Sequence, residues 1–223
     1  MAFAVGPLDE ILAARGRSPN NQVVNPMTAV IYIHGFLSSP QSHKAQVVAR
    51  WLAEEHPQVS FYCPQLTPYP GQTQQQLDDL VADLKGQHIG LMGSSMGGFW
   101  ATYLAEACDL PAVLINPACE PLKLMPQYID QTLQNYHTEQ TYQLNSSHLD
   151  ELTQVPAHSA KRLANYWVLL QTGDETLDYN KAVSKYQGAE MLVEEGGDHS
   201  FQNFERHLSA SLAFFDKFYA REC

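Results

Sequence analysis

Apolar and polar residues follow one another along this chain in blocks. Ala29-Val30-Ile31-Tyr32-Ile33 is an unbroken apolar run rich in β-branched residues, ended by His34-Gly35. Such a run predicts a strand buried on both faces. Over residues 41–55 the apolar residues Val47, Val48, Trp51 and Leu52 fall on one side of a helix. The pair of signals then repeats. A strand is expected over 59–63 and ended by Pro64, with a helix over 73–84 carrying Leu77, Leu80, Val81 and Leu84. Next come a strand over 88–92, a helix over 99–107 and a strand over 112–116. The alternation breaks at Pro117: residues 118–165 show no clear strand and are rich in Pro, Tyr, Gln and His. It resumes with a strand at Tyr166–Gln171, a helix near 179–186, a strand over 190–193 and a last helix from Phe201 to about Tyr219. Strands alternating with helices predict a parallel sheet with helices on both faces.

The expected fold is therefore α/β. It is a single domain with a mostly parallel six-stranded sheet and a small cap inserted over 118–165. Residues 1–27 are an extension of unassigned role, in which the pattern at 7–15 suits a short helix burying Leu8, Ile11 and Leu12.

The turn at Gly93-Ser94-Ser95-Met96-Gly97 changes the picture from fold to chemistry. It lies between an apolar strand and a helix, which is the setting of a nucleophile elbow. There the central serine occupies a strained position at the tip of a sharp turn. The residues two before and two after it come so close that both favour having no Cβ. Downstream, the fifth strand ends in Gln171-Thr172-Gly173-Asp174 and the sixth in Gly196-Gly197-Asp198-His199. Ser95, Asp174 and His199 thus each follow a parallel strand, and such strand ends share one edge of the sheet. A serine hydroxyl needs a base to take its proton. His199 can take it and later protonate a leaving group, while a carboxylate holds the imidazole tautomer. Asp178 and Glu120 are alternatives to Asp174 for that carboxylate. The backbone N–H groups of Phe36, after the first strand, and of Met96 are the expected oxyanion donors. His34 is read as structural. Asp198 is read as a turn or solvated residue, Glu194-Glu195 as a solvated strand end, and the remaining histidines as surface or cap residues.

Charge and composition narrow the partner. The chain has 223 residues and a formal net charge of −11 with no basic cluster, so neither nucleic acid nor an anionic membrane surface is expected. Cys63, Cys108, Cys119 and Cys223 show no C-x-x-C spacing and read as free thiols, mostly core packing, in a reducing compartment. No signal-peptide pattern and no run of ~18 apolar residues occurs, so a soluble cytoplasmic protein is expected. The histidines lack metal-ligand spacing, so no metal and no cofactor is expected.

Five segments together, His34-Gly35-Phe36-Leu37-Ser38-Ser39-Pro40, Gly93 to Gly98, Ile115-Asn116-Pro117-Ala118, Leu170 to Tyr179 and Glu194 to Phe201, resemble the YqiA-like bacterial esterases of the α/β-hydrolase superfamily. The resemblance covers roughly residues 28–220. It implies a compact α/β-hydrolase without metal, acting on acyl esters or acyl thioesters through Ser95, Asp174 and His199. The expected function is a carboxylesterase for short to medium acyl chains, working through an acyl-enzyme on Ser95. An acyl-CoA thioesterase and a non-catalytic binding protein of the same fold are the alternatives. Leu37, Met125, Tyr128 and Leu177 are the expected substrate-binding residues, and oligomeric state is left open.

Overall fold

The computed structural model describes residues 27–221. The helix expected at 7–15 and Cys223 lie outside the described residues. Six strands form one sheet: β1 (Ala29–Ile33), β2 (Ser60–Tyr62), β3 (Ile89–Ser94), β4 (Ala112–Ile115), β7 (Tyr166–Gln171) and β8 (Glu190–Glu194), in the order β2-β1-β3-β4-β7-β8. Every neighbouring pair in it is parallel. The insertion between β4 and β7 adds a two-stranded antiparallel hairpin, β5 (Thr132–Gln134) with β6 (Thr141–Gln143).

The period of two along each strand divides the core. Ile31, Ile33, Leu91, Leu114 and Val168 face one side with α2 (Pro70–Asp83), α3 (Met96–Cys108) and α6 (Tyr179–Lys185). Val30, Tyr32, Met92, Val113 and Leu169 face the other with α1 (His43–Glu55) and α7 (Leu208–Tyr219). Strands buried on both faces have no polar side to display, which is why they read as unbroken apolar runs.

The insertion carries α4 (Pro121–Leu124), a 3-10 turn at Met125–Tyr128, the hairpin and α5 (Ser146–Gln154). It is tied to the loop after β1, where Asn135 Nδ2 donates to the Ser38 carbonyl (2.7 Å) and the Tyr136 N–H to that of Leu37 (2.8 Å). It is also tied to the start of α2, whose Gly71 N–H donates to Glu151 (2.9 Å).

Several boundaries move from those expected. Pro70 starts α2 three residues early, because proline at the first helical position loses no needed N–H. The last helix starts at Leu208 rather than Phe201: Phe201 and Asn203 have φ of +58° and +57°, which no right-handed helix accommodates. Cys63 and Cys119 are half-buried and pack against the core, whereas Cys108, the last residue of α3, is exposed. Among the described residues no helix is long and apolar enough to cross a membrane.

Candidate active site

The β3–α3 turn places Ser95 at φ +56°, ψ −121°, a strained conformation for a residue with a side chain. Its flanking glycines are required sterically. A Cβ on Gly97 would lie 1.9 Å from the Ile33 carbonyl oxygen, and one on Gly93 would lie 2.3 Å from that of Gly97. The Ser95 N–H donates to the Ile115 carbonyl (3.0 Å), and its own carbonyl accepts from Gly98 (2.9 Å) and Ala118 (2.9 Å). The turn is thereby locked between β1 and the end of β4. Ser94, the neighbouring hydroxyl, is buried.

The structure brings Ser95, His199 and Asp174 together. His199 Nε2 stands 3.0 Å from Ser95 Oγ, and His199 Nδ1 stands 2.9 and 3.0 Å from the two Asp174 oxygens. The Asp174 side chain is 2% exposed and that of His199 is 24% exposed. Asp174 Oδ1 also accepts from the N–H groups of Thr176 (2.9 Å) and Leu177 (2.8 Å), so the carboxylate is aimed by its own turn. The two other carboxylates go elsewhere. Asp178 caps α6 by accepting from the Asn180 N–H (3.0 Å), and Glu120 pairs with Lys123 and Lys181.

The loop after β1 runs beside the serine, so that a Cβ on Gly35 would lie 3.9 Å from Ser95 Oγ. Phe36 follows at once. Met96 is the first residue of α3, where backbone N–H groups lack an intrahelical acceptor. Among the described residues neither the Phe36 nor the Met96 N–H has a backbone partner outside regular structure. His34 is buried and supports this loop. Its Nε2 accepts from the Leu66 N–H (3.1 Å), which leaves Nδ1 to donate to the Gly35 carbonyl (2.9 Å). Burial lowers the His34 pKa, in keeping with a neutral ring.

A narrow cavity of about 20 Å³, room for one or two waters, adjoins these donors. Phe36 and Met96 belong to its lining, with Leu37, Leu66, Trp100, Met125 and Leu152. Of the expected substrate-binding residues, Leu37 and Met125 thus lie at this cavity. Tyr128 does not line it; its ring packs on Phe36 with centroids 5.1 Å apart. Leu177, whose N–H is held by Asp174, lines a separate cleft of about 230 Å³ with Pro117, Cys119 and Leu124. A larger opening of about 540 Å³ between Glu106, His158 and Arg162 contains none of these groups.

Other polar residues differ from their expected roles. Glu194 is not a solvated strand end: it accepts from Gln171, Arg206 and His207. Burial alone would raise its pKa, but those three partners outweigh it and hold the carboxyl below its usual value. His207 is not on the surface; it packs against Trp167 and Phe201. His88 stacks on Tyr219 with centroids 4.2 Å apart. Asp198 takes part in a turn, its carbonyl accepting from Phe201 (3.0 Å), and its Oδ1 is buried rather than solvated. Sequence reasoning missed Asn116 and Gln171, buried amides that end β4 and β7. Polar residues closing apolar runs were the available signal. Among the described residues no group of three or more His, Cys, Asp or Glu is arranged to hold a metal ion.

A model described as "Uncharacterised protein family (UPF0227)" matches residues 29–216. A UPF0227 protein of Pectobacterium atrosepticum is 26% identical over 192 residues, covering 83% of this chain and 97% of that relative. Among solved structures, Est1E from Butyrivibrio proteoclasticus aligns with a TM-score of 0.62 at 16% identity, over 86% of this chain and 87% of its own. Mouse alpha/beta hydrolase domain-containing protein 10 aligns with a TM-score of 0.62 at 16% identity, over 87% and 90%. At these identities the likeness is one of fold, and the fold is that of the α/β-hydrolases.

Proposed function

The chain belongs to the UPF0227 family, and from that premise we propose that it is a serine hydrolase of carboxylic esters with short to medium acyl chains. The observation that carries this reading is His199, with one ring nitrogen 3.0 Å from Ser95 Oγ and the other within 3.0 Å of a buried Asp174. In the reaction, His199 Nε2 takes the Ser95 proton as Oγ attacks the ester carbonyl. The carbonyl oxygen becomes an oxyanion facing the N–H groups of Phe36 and Met96, and losing one such donor typically costs ~3 kcal/mol of transition-state stabilisation. Asp174 stabilises the imidazolium. His199 then returns its proton to the leaving alkoxide, leaving an acyl group on Ser95. Water attacks next, giving a proton to His199, which passes it to Ser95 Oγ as the acyl–Oγ bond breaks, releasing the carboxylic acid and restoring the serine hydroxyl.

The cavity beside the oxyanion donors is the acyl site in this reading. At about 20 Å³ it takes no more than the smallest acyl group, and longer chains require Met125 or Leu152 to move. Catalysis through Ser95 uses no metal or cofactor, and the partner is the ester itself. The test is a panel of p-nitrophenyl esters of graded acyl length with acyl-CoAs beside it. The expected result is hydrolysis that is fastest for short acyl groups. Absence of turnover on every ester contradicts the proposal, and turnover confined to acyl-CoAs moves it to a thioesterase.

A further inference from the structure

We propose that Asn116 and Gln171 are positioning residues for His199, two buried amides at the ends of β4 and β7 that fix the backbone of the loop carrying it. This rests on His199 being the general base of the proposed hydrolase. The loop between β8 and the 3-10 turn at Phe204–His207 belongs to neither helix nor sheet, so its peptide groups must find partners elsewhere. Beyond the backbone bonds of the Phe201 N–H to Asp198 and of the Gly173 N–H to Gly196, they find them on side chains. Gln171 Oε1 accepts from the N–H groups of Asp198 (3.3 Å) and Gln202 (2.8 Å). Its Nε2 donates to the Gln202 carbonyl (3.0 Å) and to Glu194 Oε2 (2.9 Å). That uses the full capacity of one amide, two acceptor and two donor sites. Asn116 Nδ2 donates to the carbonyls of Asp198 (3.0 Å) and of His199 itself (3.3 Å). Its Oδ1 accepts from the Gln171 N–H (3.0 Å), coupling the two amides.

The chain is shaped around this pair. Gln171 and Asn116 are 3% and 2% exposed. Asn116 sits at φ +40°, a conformation asparagine adopts more readily than most residues. Gly197, at φ +74°, has no room for a side chain because a Cβ would lie 2.0 Å from Gln171 Oε1. Two further side chains hold the outside of the loop. Lys44 Nζ donates to the Ser200 carbonyl (2.6 Å), and Glu175 Oε2 accepts from the His199 N–H (3.0 Å). Satisfied buried polar groups rigidify what they hold. The ring of His199 meets Ser95 only if its Cα is in place, and Asn116 and Gln171 set that Cα. A reacting group displaced by about 1 Å can lose about a hundredfold in rate. Neither amide lines the acyl cavity, so the effect falls on kcat and not on KM.

The test compares Asn116→Gly, which tolerates the positive φ, with Asn116→Asp, which keeps the acceptor facing Gln171 and loses the donor facing the loop. For p-nitrophenyl acetate, kcat is expected to fall about ten- to a hundredfold in both, with KM within about twofold. Proton NMR gives a readout independent of turnover. The downfield Nδ1–H resonance of a His199–Asp174 hydrogen bond is expected in the wild type and broadened or lost in both variants. If neither variant folds, Gln171→Glu, which keeps Oε1 and removes the Nε2 donor, takes the same measurements. Folded variants that keep wild-type kcat and the resonance, or that change KM alone, overturn the proposal. A wild type that hydrolyses no ester sinks the esterase reading instead, and the resonance then decides the positioning role by itself.

Discussion

Asp174 is the residue on which assignment of the acid turns. Three carboxylates follow strands near Ser95, and only Asp174 reaches the His199 ring, while Asp178 caps a helix and Glu120 pairs with lysines. Asp174→Asn would let the imidazole take the wrong tautomer, and rate losses of about 10⁴-fold follow such a change in serine proteases. Asp178→Asn and Glu120→Gln should stay within a few fold of wild type on the same ester. A larger loss from either would move the acid. His34 makes a different prediction. Burial lowers its pKa, so the folded state refuses a proton that the unfolded state accepts below its ordinary value of about 6.5. The unfolded state then binds more protons, and stability rises with pH. The His34 contribution is therefore complete above about pH 6.5 and is lost as pH falls below it toward the lowered folded value. Urea midpoints across this range should fall more steeply on acidification for wild type than for His34→Gln. Equal slopes would mean that His34 does not carry the effect.

At the scale of elements, the four central strands of the sheet were legible because burial on both faces leaves them almost continuously apolar, and the partly exposed edge strands β2 and β8 by short apolar stretches. The β5–β6 hairpin was not. Thr132-Leu133-Gln134 and Thr141-Tyr142-Gln143 hold one apolar residue each, too short a pattern for a period of two to register. The start of α7 was misread because Phe201 and Phe204 continue an apolar helical pattern, yet the backbone at Phe201 is left-handed. The insertion matters because Met125, in its 3-10 turn, and Leu152, in α5, line the cavity beside Phe36 and Met96 that is proposed to take the acyl group. Met125→Ala should lengthen the space and move the optimum of the ester panel toward longer chains. The change is worth about 1–3 kcal/mol in selectivity for each methylene newly accommodated. An unchanged chain-length profile in Met125→Ala and Leu152→Ala would place acyl selection outside the insertion.

For the whole molecule, the site was legible where parallel topology speaks for it. Three residues that each follow a strand come together because parallel strands end at one edge, and Ser95, Asp174 and His199 are far apart in sequence but within hydrogen-bond reach. What the sequence hid is what depends on side-chain geometry. Leu177 turns into a separate cleft, Tyr128 backs Phe36, and Asn116 and Gln171 spend their amides on the histidine loop. The central claim is that Ser95 is the nucleophile. It is tested most directly by reacting the protein with a fluorophosphonate and mapping the adduct by peptide mass spectrometry, with Ser95→Ala alongside. The expected result is one adduct, on Ser95, and a folded Ser95→Ala variant that takes no label and loses about 10⁴-fold or more in ester hydrolysis. A folded wild type that stays unlabelled, or an adduct on Ser94 or elsewhere, would contradict it.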